Sequence, residues 1–129
     1  MGIISQKLTL IGRKGRRQVE ALFDTGSSHS MVRESIAVAI AEPDDLPEPK
    51  TYESAVGKFT ARTGIFADVV IRRHRLLTGL TVVTNLSEEL ILGVDFLQRW
   101  QVRLDPHHHK LILDPKAFRL RAVGARHRA

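Results

Sequence analysis

The sequence predicts a mostly β domain that folds into a closed, or nearly closed, β-barrel with one or two short helices. Three observations support this class. Short runs of branched apolar residues recur along the chain, turn residues bound each run, and only two stretches have helical spacing. The chain has 129 residues, the length of one domain, and 43% of them are hydrophobic, which is enough to form a core.

The first half of the sequence predicts two hairpins with a short helix between them. A turn at 12–15 joins the strands of the first hairpin, and the helix at 36–41 ends before a proline. The acidic and proline-containing residues 44–49 indicate a surface loop. The second hairpin has a small tip at Val56-Gly57. The predicted strands of this half are 3–11, 16–23, 29–32, 50–55 and 58–71.

The second half predicts further short strands around one helix at 94–100, where Phe96, Leu97 and Trp100 share a face. The predicted strands of this half are 76–84, 90–92, 101–105 and 110–114. We place the domain at residues 1–115 and a basic tail at 116–129.

The chain is basic, with a net charge of +6 and a pI near 10.3. Much of the excess lies at 13–17, at 72–75 and in the tail. Basic clusters attract nucleic acid or acidic lipid. These clusters are far apart, however, and no known nucleic-acid motif frames them. We therefore interpret them as solvated turns and a tail, with nucleic acid kept only as a minor alternative partner.

The composition excludes several classes of protein. Because the chain has no cysteine, it contains no disulfide, no thiolate metal site and no cysteine nucleophile. No apolar run reaches the length of a membrane span, and no secretory signal pattern is present. We expect a cytoplasmic protein.

One stretch carries a clear chemical signal. An apolar strand ends at Asp24-Thr25-Gly26, followed by Ser27 and Ser28. Gly26 permits a sharp turn, so the carboxylate would lie at the base of a cleft, oriented by neighbouring hydroxyls and amides. Taken alone, the same residues also suit an ordinary Asp/Ser turn.

Other candidate sites are weaker. The consecutive residues His107, His108 and His109 alternate in direction on an extended chain, so they do not converge on one ion. Ser27 lacks the motif that surrounds a serine nucleophile. His29 is interpreted as a surface strand residue, with a polar neighbour of the cleft as the alternative. We expect neither a metal nor a cofactor.

The order of the motifs resembles that of the retropepsin-like aspartic proteases. The first motif is the strand and turn at 21–28. The second, at 90–97, is Leu-Ile-Leu-Gly-Val-Asp-Phe-Leu, which resembles the strand, glycine and helix of retroviral, retrotransposon and bacterial members. A hairpin lies between them, as a flap does in that family. The resemblance spans roughly 3–114, implies a retropepsin lobe, and leads us to expect a bacterial member.

The resemblance implies a role for each matched residue. It makes Asp24 the catalytic acid and Gly26 the turn residue of the active-site loop. Thr25 would tie two such loops together across a dimer, and Ser27 would hydrogen-bond the carboxylate. The resemblance also implies a support strand behind the loop, at Leu92 and Gly93. It implies a flap over the substrate at Ala55, Val56 and Gly57.

The implied chemistry needs two carboxylates that share one proton. The chain has a single Asp-Thr-Gly, at Asp24, so the second carboxylate is expected from another copy. The predicted function is therefore a homodimeric aspartic endopeptidase acting on polypeptide. The hairpin at 101–114 is expected to contribute to the dimer interface. The alternative is a catalytically silent dimeric module of the same fold that binds peptide or nucleic acid.

Overall fold

The structure, a computed structural model, describes residues 2–54 and 57–118. The strands are β1 (Ile3–Ile11), β2 (Arg16–Asp24), β3 (Met31–Arg33), β4 (Asp44–Ser54), β5 (Gly57–Ile71), β6 (His74–Val83), β7 (Leu90–Leu92), β8 (Arg103–Asp105) and β9 (Lys110–Ile112). The helices are α1 (Glu34–Ile40) and α2 (Val94–Arg99), and residues 115–118 are also helical. Within the described ranges, no helix has the length and apolarity that crossing a membrane requires.

Six strands close into a barrel. They pair in the order β1-β2-β7-β3-β6-β5, and the pairing of β1 with β5, with Leu10 opposite Val69, completes the ring. β4 pairs with the first part of β5 and forms a hairpin with it outside the ring. The short strands β8 and β9 form a separate hairpin. The predicted class, a closed β-barrel with short helices, is confirmed.

The barrel interior contains the main apolar core. Along β2, alternate residues Val19, Ala21 and Phe23 are buried in this core. Since successive side chains of a strand point to opposite faces, Leu22 and Asp24 lie on the outer face of the same strand. The strand that forms the core therefore also presents Asp24 on its other side.

One parallel pairing brings a distant segment to the end of β2. β7 runs parallel to β2, with Phe23 opposite Leu92, so the residues that follow both strands meet at one edge. The helix α2 starts at this edge, and the ring of its Phe96 lies 6.3 Å from that of Phe23. Hence the loop after Asp24 is supported from behind by β7 and α2.

The predicted surface loop at 44–49 is wrong, because these residues belong to β4. Asp44 and Asp45 pair with β5, and pairing resumes at Lys50 after a shift of register. Both prolines of the stretch fall inside that irregularity, where a missing backbone N–H costs no ladder hydrogen bond. The acidic and proline-rich composition thus concealed the strand.

The packed part of the chain extends beyond residue 115, where the sequence analysis ended the domain. Ala117 and Phe118 are buried, and Phe118 contacts the rings of Trp100 and His74 at 6.1 and 4.8 Å. Trp100 is itself a core residue, as predicted. The predicted tail from 119 onward lies outside the described residues.

Candidate active site

Asp24 stands at the end of β2 with its two carboxylate oxygens in different environments. The backbone N–H of Gly26 donates a hydrogen bond of 2.8 Å to Oδ1. Oδ2 is buried and has no hydrogen-bond partner among the described residues. The side chain has no exposed surface in the single chain. Buried polar atoms without a partner are rare in proteins, and a catalytic role is one of the explanations for such an atom.

Ser27 organises the turn and does not contact the carboxylate. Its hydroxyl donates to the carbonyl of His29 at 2.8 Å, and its carbonyl accepts the N–H of Val94 at 2.7 Å. A hydroxyl has a single hydrogen to donate, and here that hydrogen serves the loop. The expected hydrogen bond from Ser27 to Asp24 is therefore corrected: Ser27 supports the backbone that carries the aspartate.

Gly93 lies directly against this loop. A Cβ atom at this position would lie 2.4 Å from the carbonyl oxygen of Ser27 and 2.8 Å from that of His29. The preceding residue, Leu92, is fully buried in the core. Glycine is thus needed for the close approach of two backbones, and not for an unusual φ.

Ser30 and Asp95 form a second connection that the sequence analysis missed. Asp95 Oδ1 accepts the hydroxyl of Ser30 at 2.7 Å, and Oδ2 accepts the N–H of Ser30 at 3.2 Å. The same Ser30 hydroxyl accepts the N–H of Gly93 at 3.0 Å. Asp95 lies in the first turn of α2, where acids are favoured, but nothing in that local signal indicates a partner 65 residues earlier.

Thr25 makes its contacts within its own chain. Its hydroxyl accepts the N–H of Gly2 at 2.7 Å and donates to the carbonyl of Gly2 at 3.2 Å, and its own N–H donates to that carbonyl at 3.1 Å. These bonds extend the pairing of β1 with β2 by one residue beyond Ile3 and Asp24. The resemblance implied that Thr25 would contact a second chain; in the single chain, Gly2 occupies its hydroxyl.

The β4–β5 hairpin covers the outer face next to Asp24 through two aromatic residues. Tyr52 contacts the ring of His29, and its cross-strand neighbour Phe59 packs on a second apolar cluster. Burial, and to a smaller extent the negative charge of Asp95, raise the pKa of Tyr52. That apolar cluster comprises Met31, Val83, Leu86 and Ile91, with Leu22 and Phe59 half-buried at its edge.

The flap positions expected at this hairpin are described only in part. Gly57 begins β5 opposite Ser54, with a φ of +142° that favours glycine. Ala55 and Val56 lie outside the described residues. The two described strands of the hairpin, β4 and β5, therefore end and begin on either side of the predicted tip.

A comparison with protein families identifies the chain. Residues 12–99 match the model of the family described as "gag-polyprotein putative aspartyl protease". This range covers well over half of the chain and includes both Asp24 and Gly93. The chain belongs to this family.

Solved structures show the same retropepsin-like fold. The retroviral protease-like domain of Ddi1 from Leishmania major is 18% identical, with a TM-score of 0.60, and the match covers 88% of this chain and 90% of that one. Lpg0085 from Legionella pneumophila, a protein of unknown function, is 11% identical with a TM-score of 0.53, covering 81% and 91%. At such identities the likeness establishes the fold alone.

Two histidines of the turn between β8 and β9 contact residues other than Asp24. His108 Nδ1 lies 2.7 Å from Asp105 Oδ2, and this hydrogen bond is the main reason why the pKa of Asp105 is lowered. His109 Nε2 lies 3.2 Å from the carbonyl of Ser5. Among the described residues, no three His, Asp or Glu side chains come together as a metal site would require.

Proposed function

We propose that this protein is an aspartic endopeptidase that acts as a homodimer, with one Asp24 from each chain. The observation that carries the proposal is the Asp24 carboxylate, which is oriented by one backbone amide on Oδ1, while Oδ2 has no partner in the part of the chain that the structure describes. It ends a strand beside a covering hairpin, on an aspartyl protease fold. A partner for Oδ2 is what a second carboxylate sharing a proton would supply.

Catalysis would proceed by general acid–base chemistry on a water molecule. One Asp24 removes a proton from the water, which attacks the carbonyl carbon of the peptide bond, while the other Asp24 donates its proton to the carbonyl oxygen. Two carboxylates at such a short distance do not both ionise, so one proton is shared and the pair titrates as a unit. The turn at Gly26 would hold each carboxylate in the orientation that this exchange needs.

The second carboxylate is proposed to come from another chain because the other aspartates of this chain are either hydrogen-bonded or exposed on β4. Asp68 pairs with Arg75, Asp95 with Ser30, Asp105 with His108, and Asp114 accepts the N–H of Lys116. Asp44 and Asp45 lie exposed on β4, where they pair with β5 through the backbone. A symmetric dimer supplies an equivalent acid without a second motif.

The substrate is proposed to present apolar side chains beside the cleaved bond. Leu22 lies on the same face of β2 as Asp24 and borders the second apolar cluster, to which the hairpin contributes Phe59. Half-buried apolar side chains beside Asp24 would bind apolar groups because the apolar surface of both is removed from water.

The direct test replaces Asp24 by asparagine, which keeps the size and removes the acid. The variant and the parent are incubated with a mixed peptide library, with and without a pepstatin-like inhibitor. We expect inhibitor-sensitive cleavage by the parent and none by Asp24→Asn, with circular dichroism unchanged. Asp44→Asn, on an exposed strand position, serves as the matched control and should cleave like the parent. Equal cleavage by Asp24→Asn would refute the assignment.

One observation favours the second candidate, a silent module that binds peptide without cleaving it. Asp24 has no exposed surface in the single chain, and Gly2 holds the neighbouring Thr25. In that case peptides from the library would bind, as measured by retention on the immobilised protein, but would be recovered intact. Cleavage that the inhibitor blocks would exclude this candidate.

A further inference from the structure

We propose that Gly2 and a second copy of the chain compete for one surface, the exposed edge of the loop at Thr25. The segment at residues 2–3, here named the Gly2 strap, must then leave this surface before two copies can bring their Asp24 side chains together. The inference rests on the proposed homodimer and adds a control step to it.

The strap occupies the polar groups of Thr25. The hydroxyl gives its single hydrogen to the carbonyl of Gly2 and accepts the N–H of Gly2, while the backbone N–H of Thr25 also binds that carbonyl. A hydroxyl with its hydrogen already donated has none for a partner chain. A hydrogen bond donated by this hydroxyl to a second copy therefore requires exchange of the bond to Gly2.

The strap also fits closely against its neighbours. Gly2 is buried between Thr25 and the β8–β9 hairpin, so closely that a Cβ at Gly2 would lie 3.1 Å from Cγ of Pro106 and 3.5 Å from Cδ1 of Leu104. Beside this seat lies a cavity of about 490 Å³. Its lining is mostly apolar and includes Gly2, Thr25, Leu104 and Pro106.

Asp24 is buried in the single chain. With the strap in place its side chain has no exposed surface, and its backbone lies opposite Ile3, the next residue of the strap. Two carboxylates that are wholly covered in their own chains cannot approach to hydrogen-bond distance. Thr25 and Gly26, by contrast, are exposed, so this loop edge is the part of the site that a second copy can reach first. Release of the strap would free both the edge and the hydroxyl.

The geometry allows the strap to be locked with a disulfide. A Cβ built at Gly2 lies 3.7 Å from Cβ of Leu104. Disulfides join Cβ atoms at about 3.5–4.5 Å, so Gly2→Cys with Leu104→Cys should form one on oxidation. The chain has no cysteine of its own that could interfere. The pair is placed in an Asp24→Asn background, which prevents self-cleavage, and dimer formation is measured by sedimentation over a range of concentrations.

We expect the oxidised protein to stay monomeric and the reduced protein to dimerise. The dissociation constants should differ by at least about fivefold, the factor that one hydrogen bond of ordinary net strength is worth. The single variants Gly2→Cys and Leu104→Cys, oxidised in parallel, control for the substitutions and should behave like the reduced pair. Pro106→Ala, which loosens the seat without touching Thr25 or Asp24, should strengthen dimerisation and accelerate amide exchange at Gly2 and Thr25.

Equal behaviour of the oxidised and reduced pair, whether both dimeric or both monomeric, overturns the inference. The proposed function is decided separately, by peptide cleavage with Asp24 restored. Cleavage in both redox states would mean that the enzyme assignment stands and the strap does not control it. Cleavage in neither state would remove the enzyme assignment as well.

Discussion

The ring of Tyr52 lies against the ring of His29, with 4.2 Å between their centroids and an angle of 45° between their planes. Tyr52 belongs to the β4–β5 hairpin, and His29 belongs to the loop that follows Asp24. Phe59, directly opposite Tyr52 in the hairpin, packs on the second apolar cluster. The hairpin is thus attached beside Asp24 at two points, one on the loop and one on the barrel wall.

Replacing Tyr52 by alanine should release the first of these attachments. An aromatic pair contributes about 0.5–1.5 kcal/mol beyond its buried area, so local opening of the hairpin should become about 2- to 10-fold more frequent. Amide hydrogen exchange of 50–54 and 57–61 measures this directly. Thr51→Ala, at an exposed position on the same strand, is the control. If exchange in the Tyr52 variant matches that of the control, the ring contact does not hold the hairpin.

The pKa of Tyr52 should respond to a change at Asp95. Burial raises this pKa first, and the negative charge of Asp95 raises it further. Asp95→Asn removes only the second cause, so the pKa should fall but stay above its ordinary value. Since Tyr52 is the single tyrosine, alkaline titration of tyrosine absorbance reports it without assignment. Glu53→Gln, next to Tyr52 but exposed, should leave the titration unchanged.

The raised pKa of Tyr52 also determines whether folding stability rises or falls as the pH increases. The folded state holds the phenolic proton more tightly than the unfolded state does, so this stabilisation is fully present below the ordinary pKa. It is lost as the pH rises through the higher folded value. In Asp95→Asn that alkaline loss should be smaller; an unchanged or larger loss would mean that the charge of Asp95 does not act on Tyr52.

Much of the fold could be predicted because local patterns determine it. The apolar spacing predicted β1 at its observed bounds, and the turn residues predicted the hairpin that follows. β4 was missed in part because two prolines and three acids in 44–49 mask a strand whose pairing depends on β5. Pairing between strands is a property of distant segments, so local composition does not reveal it.

The residues of the candidate site likewise fall into two groups, those that the sequence predicts and those that only the fold reveals. Asp24 and Gly93 stand in recognisable motifs, because a sharp turn and a close backbone approach each demand particular residues. The contact of Ser30 with Asp95 joins residues 65 apart, and that of Gly2 with Thr25 joins residues 23 apart. Serine, aspartate and glycine at such positions also suit ordinary turns and helix starts. These contacts could therefore be found only from the folded chain.

Gly93→Ala should be strongly destabilising for a steric reason. The new Cβ would lie 2.4 Å from the carbonyl oxygen of Ser27, which is backbone and cannot rotate away. Overpacking of this kind typically costs about 1–3 kcal/mol. Gly15→Ala is the matched control, since its Cβ would meet the carbonyl of Ala39 at an ordinary 3.7 Å. Thermal unfolding compares the two, and equal midpoints would show that the loop yields without cost.

Phe118 offers a test of where the folded domain ends. Its side chain is only 6% exposed and packs edge-on against Trp100 at a centroid distance of 6.1 Å. Truncation of a buried phenylalanine to alanine removes apolar contacts and leaves a cavity, which costs about 3–5 kcal/mol. Phe66, which is 70% exposed on β5, provides a control with the same side chain. Phe66→Ala should change the free energy of unfolding by no more than about 0.5 kcal/mol.

Urea denaturation of the two phenylalanine variants separates the alternatives. A large loss for Phe118→Ala alone means that the residues after 115 are part of the cooperative unit, because a side chain in a solvated tail has no packing to lose. Equal and small losses of unfolding free energy in both variants would place the end of the folded domain at residue 115. The described contacts of Phe118 with Trp100 and His74 favour the first result, since both rings belong to segments on which the barrel itself depends.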